Sequence, residues 1–277
     1  MHKLNEETMK KLTLIFLVFS NTLLAQNDNS FLVDFLIGEE LAIENKIEEY
    51  IAHDFSDIWT NTNNEIVYGI IGDEHQRVRI KFLSVLKSHK NSSEYLVKGK
   101  VKVKETVSDF NGVIRITEIR ETKELNYGID NQYENKGIRS QGILIGDYIF
   151  TENKDQTAIG VFTGKLYSKW YLDSKNEINY DDIQIYSDQY SNNSFIGIWK
   201  DYNSEREKIC NWGDYRVPLT NTDFDIGTGE FNVSQKYWNR GWFEFALNNN
   251  ISSPIINDER PTINEEESNL ESKEWWE

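Results

Sequence analysis

The run Val97-Lys98-Gly99-Lys100-Val101-Lys102-Val103-Lys104, followed closely by Asp109-Phe110-Asn111-Gly112-Val113, decides the fold class. Apolar and cationic side chains alternate with period two, the pattern of a strand that buries one face and exposes the other. Asn and Gly both tolerate φ > 0, so the pair at Asn111-Gly112 predicts a hairpin turn there, with the next strand running from about Val113 to Arg120. Opposite the four lysines, Glu118 or Glu121 on that neighbouring strand is the expected counter-charge.

Working outward, Val78, Ile80 and Phe82 alternate with Arg77, Arg79 and Lys81. Further strands are expected at 142–151, 159–172, 182–190 and 195–202. Glycines recur inside them, as Gly142-x-x-x-Gly146, Gly160-x-x-x-Gly164 and Phe195-Ile196-Gly197-Ile198-Trp199. Strand glycines mark bends, bulges or close backbone approach. Several short, glycine-punctuated antiparallel strands suit a small closed barrel. A two-sheet sandwich shows the same alternation and stays open as an alternative. The fold class is therefore all-β, an antiparallel barrel or sandwich.

Before the strands, residues 31–53 read as one amphipathic helix. Leu36, Ile43, Ile47, Tyr50 and Ile51 form its apolar stripe, and Gly38 is a candidate kink. Earlier still, Met9-Lys10-Lys11 precedes an apolar core at 12–19, with a plausible cleavage point after Ala25. That core is shorter than the roughly 20 residues a spanning helix needs, so it predicts a secretory signal and no transmembrane segment in the mature chain. After Tyr202 the period-two pattern gives way to aromatic-rich, turn-rich sequence. Residues 257–277 form an acidic tail ending in Trp275-Trp276-Glu277. The expected organisation is a signal at 1–25, a helix and connection at 26–64, a barrel with an aromatic C-terminal segment at 65–250, and the tail at 251–277.

The formal net charge of −16 argues against nucleic acid as a partner, because phosphate backbones need clustered Lys and Arg. Cys210 is the sole cysteine, so no intramolecular disulfide forms, and a core of this size needs none. Usage of 29 Asn against 5 Ala is that of an AT-rich genome. With the export signal, it points to a periplasmic or secreted protein of a Gram-negative bacterium.

The strands ending in Phe195-x-Gly197-x-Trp199-Lys200, together with Cys210-Asn211-Trp212-Gly213-Asp214-Tyr215-Arg216, resemble a group of exported bacterial β proteins. More loosely, the Gly-x-Trp at a strand is similar to lipocalin-type barrels, in which that strand comes first rather than last. The resemblance implies the fold and no activity.

No nucleophile elbow, zinc-helix motif or phosphate-cradling loop occurs, so no catalytic residue is assigned. The carboxylates Asp181, Asp182, Asp214 and Glu230 stand beside aromatics and are candidates for a glycosidase-like pair. Asn221-x-Asp223-x-Asp225, with Glu230 behind, spaces oxygen ligands on alternate residues. It is a candidate calcium loop that departs from the helix-loop-helix pattern. Trp199, Trp212, Trp238 and Trp242, with Asp214, Tyr215 and Arg216, form the candidate ligand-binding set, since Trp and Tyr join large contact area to a polar handle. The function expected is a non-enzymatic envelope binding protein for a glycan, peptide or small apolar molecule. A carboxylate-dependent hydrolase and a protein-interaction role (inhibitor or immunity type, with an envelope protein as partner) are the alternatives.

Overall fold

The computed structural model describes residues 28–156, 159–249 and 274–277. The expected signal and most of the acidic tail lie outside the described residues. Strands β1 (Val67–Ile71), β2 (Gln76–Lys87), β3 (Glu94–Val103), β4 (Thr106–Glu121), β5 (Ile138–Glu152) and β6 (Gly160–Asp173) pair antiparallel in sequence order. β8 (Asn192–Asp201) follows β6, and β9 (Glu207–Asp214) follows β8 and pairs back onto β1. Eight strands thus close a ring. β7 (Ile178–Tyr180) is a short extra strand on β6. Closure decides for the barrel over the sandwich.

The inward positions of each strand carry the apolar residues of the period-two pattern. Val78, Ile80, Val97, Val101, Phe110, Ile114, Tyr148, Phe150, Phe162, Phe195 and Trp212 share one buried cluster. Trp212 stacks on Phe195 with centroids 4.7 Å apart and planes 9° from parallel. Glycines make room for these rings. A Cβ on Gly197 would stand 2.1 Å from the carbonyl oxygen of Thr163 and 2.5 Å from the hydroxyl of Tyr148. Their spacing of four keeps the strand glycines on one face, the inner one. The lumen is therefore filled by side chains, save for a small cavity beside Trp59 and Trp212.

Asn111-Gly112 is not a turn. It lies within β4, where Asn111 pairs with Lys98 and Thr151, and Gly112 with Val97 and Phe150. The chain reverses instead at Lys104-Glu105, between the paired Val103 and Thr106, with Lys104 at φ 52°. Gly112 is needed for closeness, since a Cβ there would stand 2.0 Å from the carbonyl oxygen of Ile149. The counter-charge for the lysine face also differs from expectation. Lys100 lies 3.7 Å from Asp109, while Glu118 pairs with Arg120 and Glu121 with Lys46.

The single helix expected over 31–53 is broken. Helix α1 (Asp28–Phe35) ends at Ile37 and Gly38, both with positive φ, and helix α2 (Ile47–Tyr50) is one turn. Between them Leu41 bridges Thr122. α1 lays Phe31, Phe35 and Leu36 on the outer side of the barrel against Ile143, Ile145, Tyr167 and Ile196. α2 and helix α3 (Ser56–Thr60) instead close one end of the barrel, adding Tyr50, Phe55, Ile58 and Trp59 to the lumen cluster. Hydrogen bonds fix this plug: Trp59 Nε1 donates to Ser168 Oγ at 3.0 Å, and the amide of Phe55 to Tyr95 Oη at 3.2 Å.

Two more expectations change. Residues 182–190 are turns rather than a strand. Cys210 to Asp214, read as irregular, are the inner half of the strand that closes the ring. After β9 the C-terminal segment folds over the outside of β1, ending in helix α4 (Phe243–Asn248). Phe224, Phe231, Val233, Tyr237, Trp242 and Phe245 bury Ile70 there in a second core. The terminal pair returns to the barrel, with Lys81 Nζ 4.8 Å from the ring of Trp276. Among the described residues no helix is long and apolar enough to cross a membrane.

Candidate functional site

The plugged end gathers a polar network where β6, β8, β9 and the connection 174–191 meet. Asp214, the last residue of β9, sits between Val67 and Asn192 and faces inward. Its Oδ2 accepts from Tyr180 Oη at 3.0 Å and from Asn193 Nδ2 at 2.8 Å. Asn193 Nδ2 also donates to the carbonyl of Ile58 in α3 at 2.7 Å. Asn193 occupies the irregular register between β8 and β9 with φ 44°, a conformation that surrounding contacts must hold. Burial pushes the Asp214 carboxyl up to about 7, against the lowering effect of the two hydrogen bonds.

A second buried group lies alongside. Asn192 Oδ1 accepts from the amide of Lys169 at 2.7 Å, and its Nδ2 donates to the carbonyls of Lys169 and Asp181. Asp181 Oδ1 accepts from the amide of Ile183 at 3.1 Å, and Tyr190 Oη donates to the Asp181 carbonyl. Lys169 is buried beneath α1, with Nζ 4.6 Å from the Phe35 ring and 5.2 Å from that of Tyr190. Burial lowers the Lys169 ammonium although Asp181 and Glu39 are close, and burial followed by Asp181 raises Glu39. Desolvation outweighs pairing in this cluster.

Above this floor lies a surface cleft of about 400 Å³. One wall is Asp57, Asn61 and Asn63, from α3 and the loop behind it. The other is Tyr171, Tyr180, Asp182, Ile185 and Tyr215. Tyr180 belongs to both layers: its ring lines the cleft and its hydroxyl is fixed on Asp214. Tyr215 is held at φ 64°, its amide donating to the carbonyl of Ile66 at 2.8 Å. A much smaller cavity of about 30 Å³, between Trp59, Trp212, Asn193 and Asp214, has room for about one or two water molecules and no organic ligand.

Of the candidate ligand-binding set, Tyr215 lines the cleft, and Asp214 is buried beneath it, reached through Tyr180. The others are elsewhere. Trp199 is buried, donating to Glu152 Oε2 at 2.8 Å, and Trp212 is in the lumen core. Trp242 and Trp238 belong to the outer core over β1. Arg216 pairs with Asp225 and donates to the carbonyl of Gly229 at 2.7 Å. Sequence reasoning missed Tyr171, Tyr180, Asn61 and Asn63, and named Asp182 only as a carboxylate. Reading 182–190 as a strand hid the loop that carries Asp182, although the tyrosines and adjacent aspartates of 180–190 mark it; Asn61, Asn63, Tyr171 and Tyr180 lie on separate elements that only the fold brings together.

The proposed calcium loop is differently occupied. Asp225 Oδ1 accepts from the amides of Gly227 and Asn232 while its other oxygen meets Arg216. Asp223 takes Lys236 at 2.6 Å and Tyr237 Oη at 2.9 Å, and Glu230 is exposed. Among the described residues no group of three potential ligands gathers for a metal. Cys210 is fully buried in the lumen, and burial holds its thiol well above the usual range. Comparison of the chain with protein-family models, with curated proteins and with solved structures gives no match.

Proposed function

We propose that this chain is an exported, non-enzymatic binding protein of the bacterial envelope whose ligand occupies the cleft at the plugged end of the barrel. Tyr180 carries the reading. A side chain that lines a surface cleft while its hydroxyl is locked to a buried carboxyl is pre-organised, so binding costs little side-chain ordering there. The cleft has the volume of a small-molecule site, with apolar rings and a few convergent polar groups. The filled lumen supports a ligand at the mouth over an apolar one carried inside.

One observation favours a second reading, a carboxylate-dependent envelope hydrolase: burial lifts Asp214 to about 7, within the range of a general acid. Binding is preferred because the carboxyl lies beneath Tyr180 and Asn193, both donating to the same oxygen. The test is native mass spectrometry of the protein isolated undenatured from its own cells. The binding reading expects a reproducible added mass that Tyr180→Phe diminishes with the fold intact. A clean protein mass in both forms counts against it, and an added mass that Tyr180→Phe leaves untouched removes the ligand from this cleft.

A further inference from the structure

We propose, on the reading that the cleft is the binding site, that its ligand is a small organic cation, an ammonium group seated against Asp182 within a ring of tyrosines. Asp182 lines the cleft and is exposed. Its carboxylate enters no hydrogen bond or ion pair among the described residues. Tyr171, Tyr180 and Tyr215 line the cleft with it, and Tyr133 and Tyr186 lie near enough to act electrostatically on this group. The proximity is electrostatically evident, because partial burial and then the Asp182 charge raise the phenols of Tyr133 and Tyr171, and Asp182 adds to burial and Asp214 in raising that of Tyr215. Tyr186 is close enough to Tyr133 and Tyr215 to act on both and is itself 77% exposed, so its ring is accessible to a ligand.

The charge balance selects the ligand's sign. Asp57 faces the cleft as well as Asp182, and among the described residues no Lys, Arg or His lines it. An anionic ligand meets two carboxylates with no cation to offset them. A neutral sugar offers hydroxyl donors to Asp182 but brings no positive charge to set against the two carboxylates. An ammonium group satisfies the carboxylate and at the same time lies against the negative faces of the tyrosine rings, the arrangement by which proteins hold alkylated ammonium ions. The chain's formal net charge of −16 adds a long-range field that concentrates cations at such a mouth.

The test is calorimetry and saturation-transfer NMR with choline chloride, its uncharged carbon isostere 3,3-dimethylbutan-1-ol, and neutral maltotetraose, on the full mature protein. Choline is expected to bind with contacts to the tyrosine rings, the isostere to bind on the order of tenfold more weakly or not at all, and Asp182→Asn to reduce choline affinity on the order of tenfold. Asp182 is exposed, so that variant should keep the wild-type circular dichroism and melting temperature. Equal binding of choline and isostere, or choline binding unchanged in Asp182→Asn, overturns the cation proposal and leaves the binding reading standing. Maltotetraose binding without choline does the same. Absence of all three ligands at millimolar concentration, joined to a clean native mass, overturns both.

Discussion

Replacing Asp214 by Asn should make the protein more stable at alkaline pH, although it removes a charge held by two hydrogen bonds. The folded carboxyl titrates at about 7 because burial disfavours its charged form, against 3.8 for the ordinary group. Between those values the folded state holds a proton that the unfolded state has lost. The protonated carboxyl's contribution is therefore complete below 3.8 and drains away as pH rises towards 7. The whole shift corresponds to about 4 kcal/mol, at about 1.4 kcal/mol per pH unit. Asn has the same shape, offers an oxygen to Tyr180 and Asn193, and never ionises. The stability of Asp214→Asn minus that of wild type should thus rise by about 3 kcal/mol between pH 5 and pH 8. Urea unfolding of both proteins across that range measures it, and every other titrating group cancels in the difference. A difference that stays constant with pH refutes the reasoning, because it would mean that the folded carboxyl ionises as freely as the unfolded one.

Gly197→Ala should cost about 1–3 kcal/mol or more, since its Cβ meets backbone that the barrel wall holds in place; a thermal melt within a degree of wild type speaks against the lumen packing described. Trp212→Ala should lose about 3–5 kcal/mol in urea unfolding, with collapse of near-ultraviolet dichroism, because the ring stacks on Phe195 in the core. Lys104→Gly should stabilise by about 1 kcal/mol by relieving φ 52°, whereas Gly112→Ala destabilises; the opposite pair of signs would restore the turn to Asn111-Gly112. Calcium or a chelator should leave the melting temperature unchanged, because Asp225 and Asp223 are already neutralised by Arg216 and Lys236.

Period-two alternation made the antiparallel sheet legible, because β3 is buried on one side only and writes that asymmetry into every second residue, whereas closure into a barrel leaves no such mark. Where a strand is covered on both faces the signal fails. β9 is such a case: Cys210 and Trp212 fill the lumen while Asn211, on the other face, donates to the carbonyl of Pro218 under the C-terminal segment. Its sequence consequently reads as aromatic-rich and irregular. Asn111-Gly112 misled because turn propensity is a local quantity, and the need for a missing Cβ beside Ile149 is a tertiary one. The candidate site was half visible. Asp214 and Tyr215 stood out beside the tryptophans, but it is the loop between β7 and β8, with no periodicity of its own, that carries Asp182 to them. The tryptophans themselves proved to be packing, the more frequent use of a large ring.

The manner of ring closure sets the order in which this chain can become a protein. β1 pairs in register with β2 at Ile70 and Ile71 but with β9 along its whole length, Val67 to Ile71. The first strand thus depends on the last as well as on its neighbour, and a chain that has been made only as far as residue 206 leaves β1 with its short pairing to β2 alone. Until Glu207–Asp214 arrives, β1 and β8 are both open edges, able to recruit strands from other molecules. Contacts of such long sequence separation favour slow, late and cooperative folding. A stop codon or proteolytic nick just before residue 207 should therefore yield an aggregating chain rather than a slightly smaller barrel.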